Sequence, residues 1–246
     1  MRHVLTLALD TSSSSGSLAV LREDQPIGCV STATGEIYSS RMFRHLEFLL
    51  RELSLELRDF GLFAVASGPG SFTGLRVGLT AAKGWSEVSN TPIAAVSALE
   101  AVAAQSHSTA PHLVPVLNAH RGQVYFSVYS QRAVAAGADS AGRLRQLGDE
   151  CVMTPDEFFA SLSARAISDF TIVTPEPALI ASRNETMNVA SKRPSVEKVS
   201  ALLAPIIGRL GYRRVQRGEV VDSLALDANY IRRTDAELHW KPWNQA

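Results

Sequence analysis

The run Gly68-Pro69-Gly70-Ser71-Phe72-Thr73-Gly74 joins an apolar strand-like stretch to a helical pattern, and its three glycines let backbone amides come close to an anion. It is not a P-loop, because no Lys followed by Ser or Thr closes it. Nor is it a dinucleotide fingerprint, since Thr73 stands at the third glycine position. Two readings stay open: a cradle for phosphate, or a tight turn that lets the chain run into a closely packed helix. Asp10, ahead of Thr11 and Ser12, ends the first apolar run. An acid there could orient phosphate or magnesium-bound water, while Asp-Thr-Ser is equally a plain turn signal. At the corresponding place in the second half stands Asn118, and a neutral amide is a poor ligand for hard magnesium. Asp10, Thr11, Ser12 and Asn118 are therefore the candidate vestige of a phosphate site. The six histidines form no HExxH or HxxxH pair and no GxSxG elbow is present, so neither a metal site nor covalent catalysis has visible machinery.

The elements that must position these residues follow from pattern. Val4 to Leu9, Ser17 to Leu21 and Ile27 to Val30 read as a three-stranded meander, followed by a helix from about Tyr38 to Arg58. The strand Leu62 to Ser67 feeds the glycine-rich loop and a helix from about Leu75 to Glu87. A strand near Ile93 to Val96 leads to a helix running to about Gln105, for which Ser97 and Glu100 predict a capping box. The order then starts again, with strands Leu113 to Leu117, Val124 to Tyr129 and Glu150 to Met153. A helix capped by Thr154, Pro155 and Glu157 comes next, then the strand Phe170 to Val173. Short helical pieces lead to a longer helix near Val199 to Leu210, and Gln131 to Leu147 reads as an excursion. Each half is thus three strands, helix, strand, helix. Duplicated βββαβα halves define the α/β, actin-like (ASKHA, ribonuclease-H-like) architecture, with a cleft between the halves. The expected division is 1–108, 109–200, and a helix and tail, 201–246, packing back on the first half.

Composition narrows the function. The 246 residues, 46% hydrophobic, suffice for a real core, and Lys plus Arg equals Asp plus Glu at 24 each. That balance argues against a protein that holds nucleic acid alone through many phosphate contacts. Arg209, Arg213, Arg214, Arg217, Arg232 and Arg233 cluster late, as a solvated helix end or as a contact for phosphate or an acidic partner. Cys29 and Cys151 are far apart and outside any CxxC, which fits a reducing cytoplasm. No run approaches the roughly 18 apolar residues of a membrane span. The reading is a soluble, cytoplasmic protein without a membrane association.

Two helices stand out. Gly74, Gly78 and Ala82 recur every four residues and leave a stripe without bulk where another helix can approach. On the preceding helix Phe43, Leu46, Leu50, Leu53 and Leu57 form an apolar seam that Met42 and Leu49 widen, and this surface serves either a large core or a partner.

The run Ser67-Gly68-Pro69-Gly70-Ser71-Phe72-Thr73-Gly74-Leu75-Arg76-Val77-Gly78-Leu79, with Lys83-Gly84 behind it, closely resembles the TsaB (YeaZ) family. Leu9-Asp10-Thr11-Ser12, Val96 to Glu100, Arg121 to Tyr125 and Asn229-Tyr230-Ile231-Arg232-Arg233 extend the likeness over nearly the whole chain. The resemblance implies a non-catalytic actin-like subunit. Such a subunit binds and supports its paralogue TsaD in forming N6-threonylcarbamoyladenosine in tRNA beside the anticodon, with the ATPase TsaE acting through the complex and tRNA met indirectly. It implies no cofactor of the chain's own, ATP and magnesium being used by the complex. The partner interface would lie on the first two helices, at Met42, Leu46, Leu49, Leu50, Leu53, Gly74, Gly78 and Ala82, and homodimers would form through similar surfaces when TsaD is absent. This chain departs from the family pattern at Asn118-Ala119-His120, where the family usually begins with Asp, and at Tyr38-Ser39-Ser40. The alternative reading is a catalytically active actin-like ATPase or small-molecule kinase built on Asp10.

Overall fold

Alternating apolar residues after Val4 produce β1 (Leu5–Asp10), β2 (Ser17–Arg22) and β3 (Gln25–Ser31), an antiparallel meander whose register runs from Leu5 opposite Arg22 to Asp10 opposite Ser17. The computed structural model describes residues 4–13, 15–32, 39–131, 144–165, 167–181 and 194–232. After α1 (Ser39–Leu53), β4 (Leu62–Gly68) pairs parallel to β1. Following α2 (Phe72–Ser89), β5 (Ile93–Ser97) extends the sheet, giving the order β3-β2-β1-β4-β5.

The second lobe repeats this design. Behind the short α3 (Ala98–Ala103) come β6 (His112–His120), β7 (Gln123–Phe126), β8 (Tyr129–Gln131), β9 (Leu144–Gln146) and β10 (Cys151–Met153). Then follow α4 (Pro155–Ala164), β11 (Phe170–Thr174), β12 (Ser195–Lys198) and α5 (Ala204–Gln216). The order β10-β7-β6-β11-β12, antiparallel in its first three strands and parallel in the rest, matches the first sheet strand for strand. The fold is the duplicated actin-like one.

The first sheet is covered on both faces. Leu7 and Leu9 point to α1 and α2, where they are buried with Met42, Phe63, Leu75 and Leu79. Ala8, Ala19 and Ala64 face α5, whose Gly208 and Gly211 lie so close that added side chains would meet Leu21 and Ala64. Small residues on both surfaces let helix and sheet approach at backbone distance. α5 therefore rests on the first lobe.

Several boundaries differ from the sequence expectation. α1 stops at Leu53, not near Arg58, because Ser54 turns left-handed at φ 52° and Leu57–Asp59 forms a separate 3-10 turn. α2 starts a turn earlier than expected, its first turn capped by the Ser71 hydroxyl, which accepts from Gly74 N. Ser97 does cap α3, accepting from Leu99 N and Glu100 N, but Glu100 turns to Arg214 rather than back to the cap. The strand expected over Val124 to Tyr129 is two strands, β7 and β8. The helix near Val199 lies at Ala204–Gln216, and β12, a short edge strand with no fully buried side chain, was not expected at all. Of the excursion, Gln131 and Leu144–Gln146 pair as strands, while 132–143 lies outside the described residues, as does Arg233.

Candidate functional site in the cleft between the lobes

β1 and β6 occupy equivalent central positions in their sheets, and the hairpins that follow them face one another. Between them lies a cleft of about 350 Å³, lined on one side by Ser12, Ser13 and Pro69 to Phe72 and on the other by Leu117 to Arg121 and Glu176. Two expected site residues, Ser12 and Asn118, meet in this cleft.

Asp10 and Thr11 lie beneath it. Asp10 is completely buried; its Oδ1 accepts from Ser12 N at 2.9 Å and from the Ser12 hydroxyl at 2.6 Å, and Oδ2 has no hydrogen-bond partner. Burial pushes the Asp10 carboxyl above its ordinary pKa, against the opposing pull of both Ser12 bonds. Thr11 turns its hydroxyl, likewise unpartnered, toward Gly78.

The glycine-rich loop resolves into the tight-turn reading. Side chains added at Gly70 and Gly74 would overlap the backbone of Ser12 and Thr11, and Ser71 N donates to Ser12 O at 2.7 Å. The glycines thus accommodate the chain's own hairpin. Across the cleft, Asn118 Oδ1 accepts from His120 N at 2.8 Å and Nδ2 donates to Glu176 Oε2 at 3.3 Å, within a turn where His120, Arg121 and Gly122 are all left-handed. Among the described residues no three His, Cys, Asp or Glu side chains converge as metal ligands. Of the two acids at the cleft, Asp10 is buried below its floor and Glu176, on its wall, accepts from Asn118.

The residues expected at a partner interface are largely engaged within the chain itself. Met42 and Ala82 are fully buried, Leu46 and Leu49 are at most 5% exposed, and Leu50 and Leu53 are half-buried against the same core. Gly74 and Gly78 are covered by Thr11, so the small-residue stripe receives the β1–β2 turn and not another helix. The other faces of the two helices remain open, at Phe43, Phe48 and Val88.

Sequence reasoning placed neither of two groups at the cleft mouth. Asn229 to Arg232 form part of its lining, and Glu150 binds both Ser97 and Asn229. The resemblance of Asn229-Tyr230-Ile231-Arg232 to a family motif was the available signal.

Comparison with known proteins agrees with the fold. A family model described as TsaD, tRNA N6-adenosine threonylcarbamoyltransferase, matches residues 21–167, well over half of the chain. The chain is 37% identical over 126 residues to the tRNA threonylcarbamoyladenosine biosynthesis protein TsaB of Bacillus subtilis, which covers 51% of this chain and 55% of that one. It is 28% identical over 159 residues to TsaB of Haemophilus influenzae, covering 64% and 67%. The match thus spans about half to two-thirds of these relatives. The YeaZ structure from Pseudomonas aeruginosa shares the fold with a TM-score of 0.71 at 23% identity, over 92% of this chain and 99% of that one. The chain belongs to the TsaB (YeaZ) family, built on the TsaD-type domain.

Proposed function

We propose that this chain is a non-catalytic subunit that binds and supports a TsaD-type paralogue in forming N6-threonylcarbamoyladenosine in tRNA next to the anticodon. The carrying observation is the outer face of α1 and α2. Five large apolar side chains stand exposed among the described residues, and three of them, Phe43 at 56%, Phe48 at 53% and Val88 at 92%, are on these two helices. Phe43 meets the half-buried Trp85 edge to face at 6.5 Å, which brings apolar groups of the two helices together at the surface, as partner-covered faces do. The relatives' names support the pathway, and the charge balance supports a tRNA contact shared with the partner. In this reading the protein works in the cytoplasm, a TsaE-type ATPase acts through the complex, and ATP and magnesium are used there and not by this chain. Two copies can pair through the same apolar face when the paralogue is absent.

The cleft between the lobes is what favours the alternative, an actin-like ATPase or small-molecule kinase. Against it stand the burial of Asp10 and the neutral Asn118. Size-exclusion chromatography with the cognate TsaD tests the leading reading. Co-elution is expected, and its loss in the Phe43→Glu/Phe48→Glu variant with an unchanged melting temperature. No complex at micromolar concentration overturns it, and magnesium-dependent ATP turnover by the isolated chain that Asp10→Asn abolishes would install the alternative.

A further inference from the structure

After α5 the chain returns along the first lobe. Ile93 and Val221 exchange two backbone hydrogen bonds, at 3.1 and 2.8 Å, which cover the edge strand β5. Ser223 binds Glu87 near the end of α2, and Leu226 is buried in the cluster that holds Leu75 and Leu79. This stretch is anchored on one lobe.

The next residues bridge to the other. Asn229 N donates to Ser67 O at 2.8 Å in the first lobe, while its Nδ2 donates to Glu150 Oε2 at 2.6 Å in the second. Glu150 also accepts from Ser97 at the start of α3, so one carboxylate joins strand end, tail and second lobe. The Tyr230 ring lies 4.9 Å from that of Phe72, and its hydroxyl accepts from Arg76 Nε at 3.3 Å. Ile231 packs with Leu99, Ala119 and Tyr125, and Arg232 donates to Gln123 on β7. The Asn229 carbonyl lies 2.7 Å from where a side-chain carbon on Gly68 would sit, so the path is matched to the glycine beneath it.

We propose that residues 228–232 are a strap that fastens the two lobes across the mouth of the cleft and holds their relative angle. Two lobes around a cleft move as hinged bodies by default, and closure about a ligand is the usual use of that motion. Here polar bonds and an aromatic contact on one side, and polar bonds and apolar packing on the other, tie a single short segment to both lobes. The chain then presents its surfaces as one rigid body, and a partner docking on it has less freedom to freeze out. The inference is independent of which partner that is.

The chain carries its own reporters. Its two cysteines, Cys29 and Cys151, sit on β3 and β10, which end the antiparallel side of each sheet order. Spin labels on both, read by pulsed dipolar spectroscopy on the full chain, give the inter-lobe distance distribution. A single narrow distribution is expected, with broadening and a shift of several ångströms in Asn229→Ala/Tyr230→Ala, and no change in Leu224→Ala, an exposed tail position. Should the double variant fail to fold by circular dichroism, Arg232→Ala carries the same test. A broad distribution in the unmodified chain, or an unchanged narrow one in a folded strap variant, overturns the proposal.

Discussion

Thr11 stands over Gly78, its hydroxyl in the space that a side chain on Gly78 would need. The contact ties the turn after β1 to the middle of α2, and it decides what the glycine is for: it admits a turn of the same chain. Gly78→Leu is therefore expected to destabilise the monomer, by about 1–3 kcal/mol or more as overpacked cores do. A thermal melt checks it. A variant that melts normally yet no longer binds TsaD would return Gly78 to the interface.

Asp10 makes stability depend on pH in a defined direction. Its folded pKa is raised by burial, so the native state holds the proton more tightly than the unfolded one. Its contribution is complete below the ordinary aspartate pKa and is lost as pH rises through the raised native value. Asp10→Asn keeps an oxygen for both Ser12 bonds and removes the charge. The variant is expected to melt no lower than the parent at neutral pH and to lose that part of the slope, as melting curves across pH would show.

Glu100 pairs with Arg214, with side chains 20% and 27% exposed, and so links α3 to α5. Burial raises the Glu100 pKa more than Arg214 lowers it, with Glu219 adding to the rise and Arg217 opposing it. Arg214→Met leaves the carboxylate without its main partner. A loss of about 2 kcal/mol is expected at pH 8, below the ~3–5 kcal/mol of a fully buried broken pair because solvent reaches both groups. The sign follows from the raised pKa: the loss shrinks as pH falls and Glu100 takes up a proton. An equal loss at pH 5 and pH 8 would show that packing, not charge, is responsible.

Thr154 and Glu157 form a reciprocal capping box at the start of α4: Glu157 Oε2 accepts from Thr154 N at 2.9 Å, and the Thr154 hydroxyl accepts from Glu157 N at 3.4 Å. Thr154→Ala should cost about 1 kcal/mol in chemical denaturation. No change would mean that the three phenyl rings of Phe126, Phe158 and Phe159, packed at 4.9 Å, hold the helix without its cap.

What could be read from sequence were the features set by neighbours along the chain. The alternation of Leu7, Ala8 and Leu9, the Thr154 box and the turn between β4 and α2 each carry their signal within a few residues, and two halves of like order pointed to the duplicated fold. Local signals fail where a residue's role depends on something distant. β12 has no apolar alternation, because an edge strand beside β11 needs backbone bonds more than buried side chains. Glu100 fits a capping box by spacing, yet the charge of Arg214, far along the chain, draws its carboxylate away. The small residues of α2 mark a close approach, but only the tertiary structure decides that Thr11 makes it. The same holds for Asp10, which the sequence offered equally as a site acid or a turn residue and which the folded chain buries completely, and for Asn229, whose two partners, Ser67 and Glu150, lie on different lobes. Helix and strand periods report which side of an element is apolar, whereas what covers that side is settled by packing among segments that the sequence keeps apart.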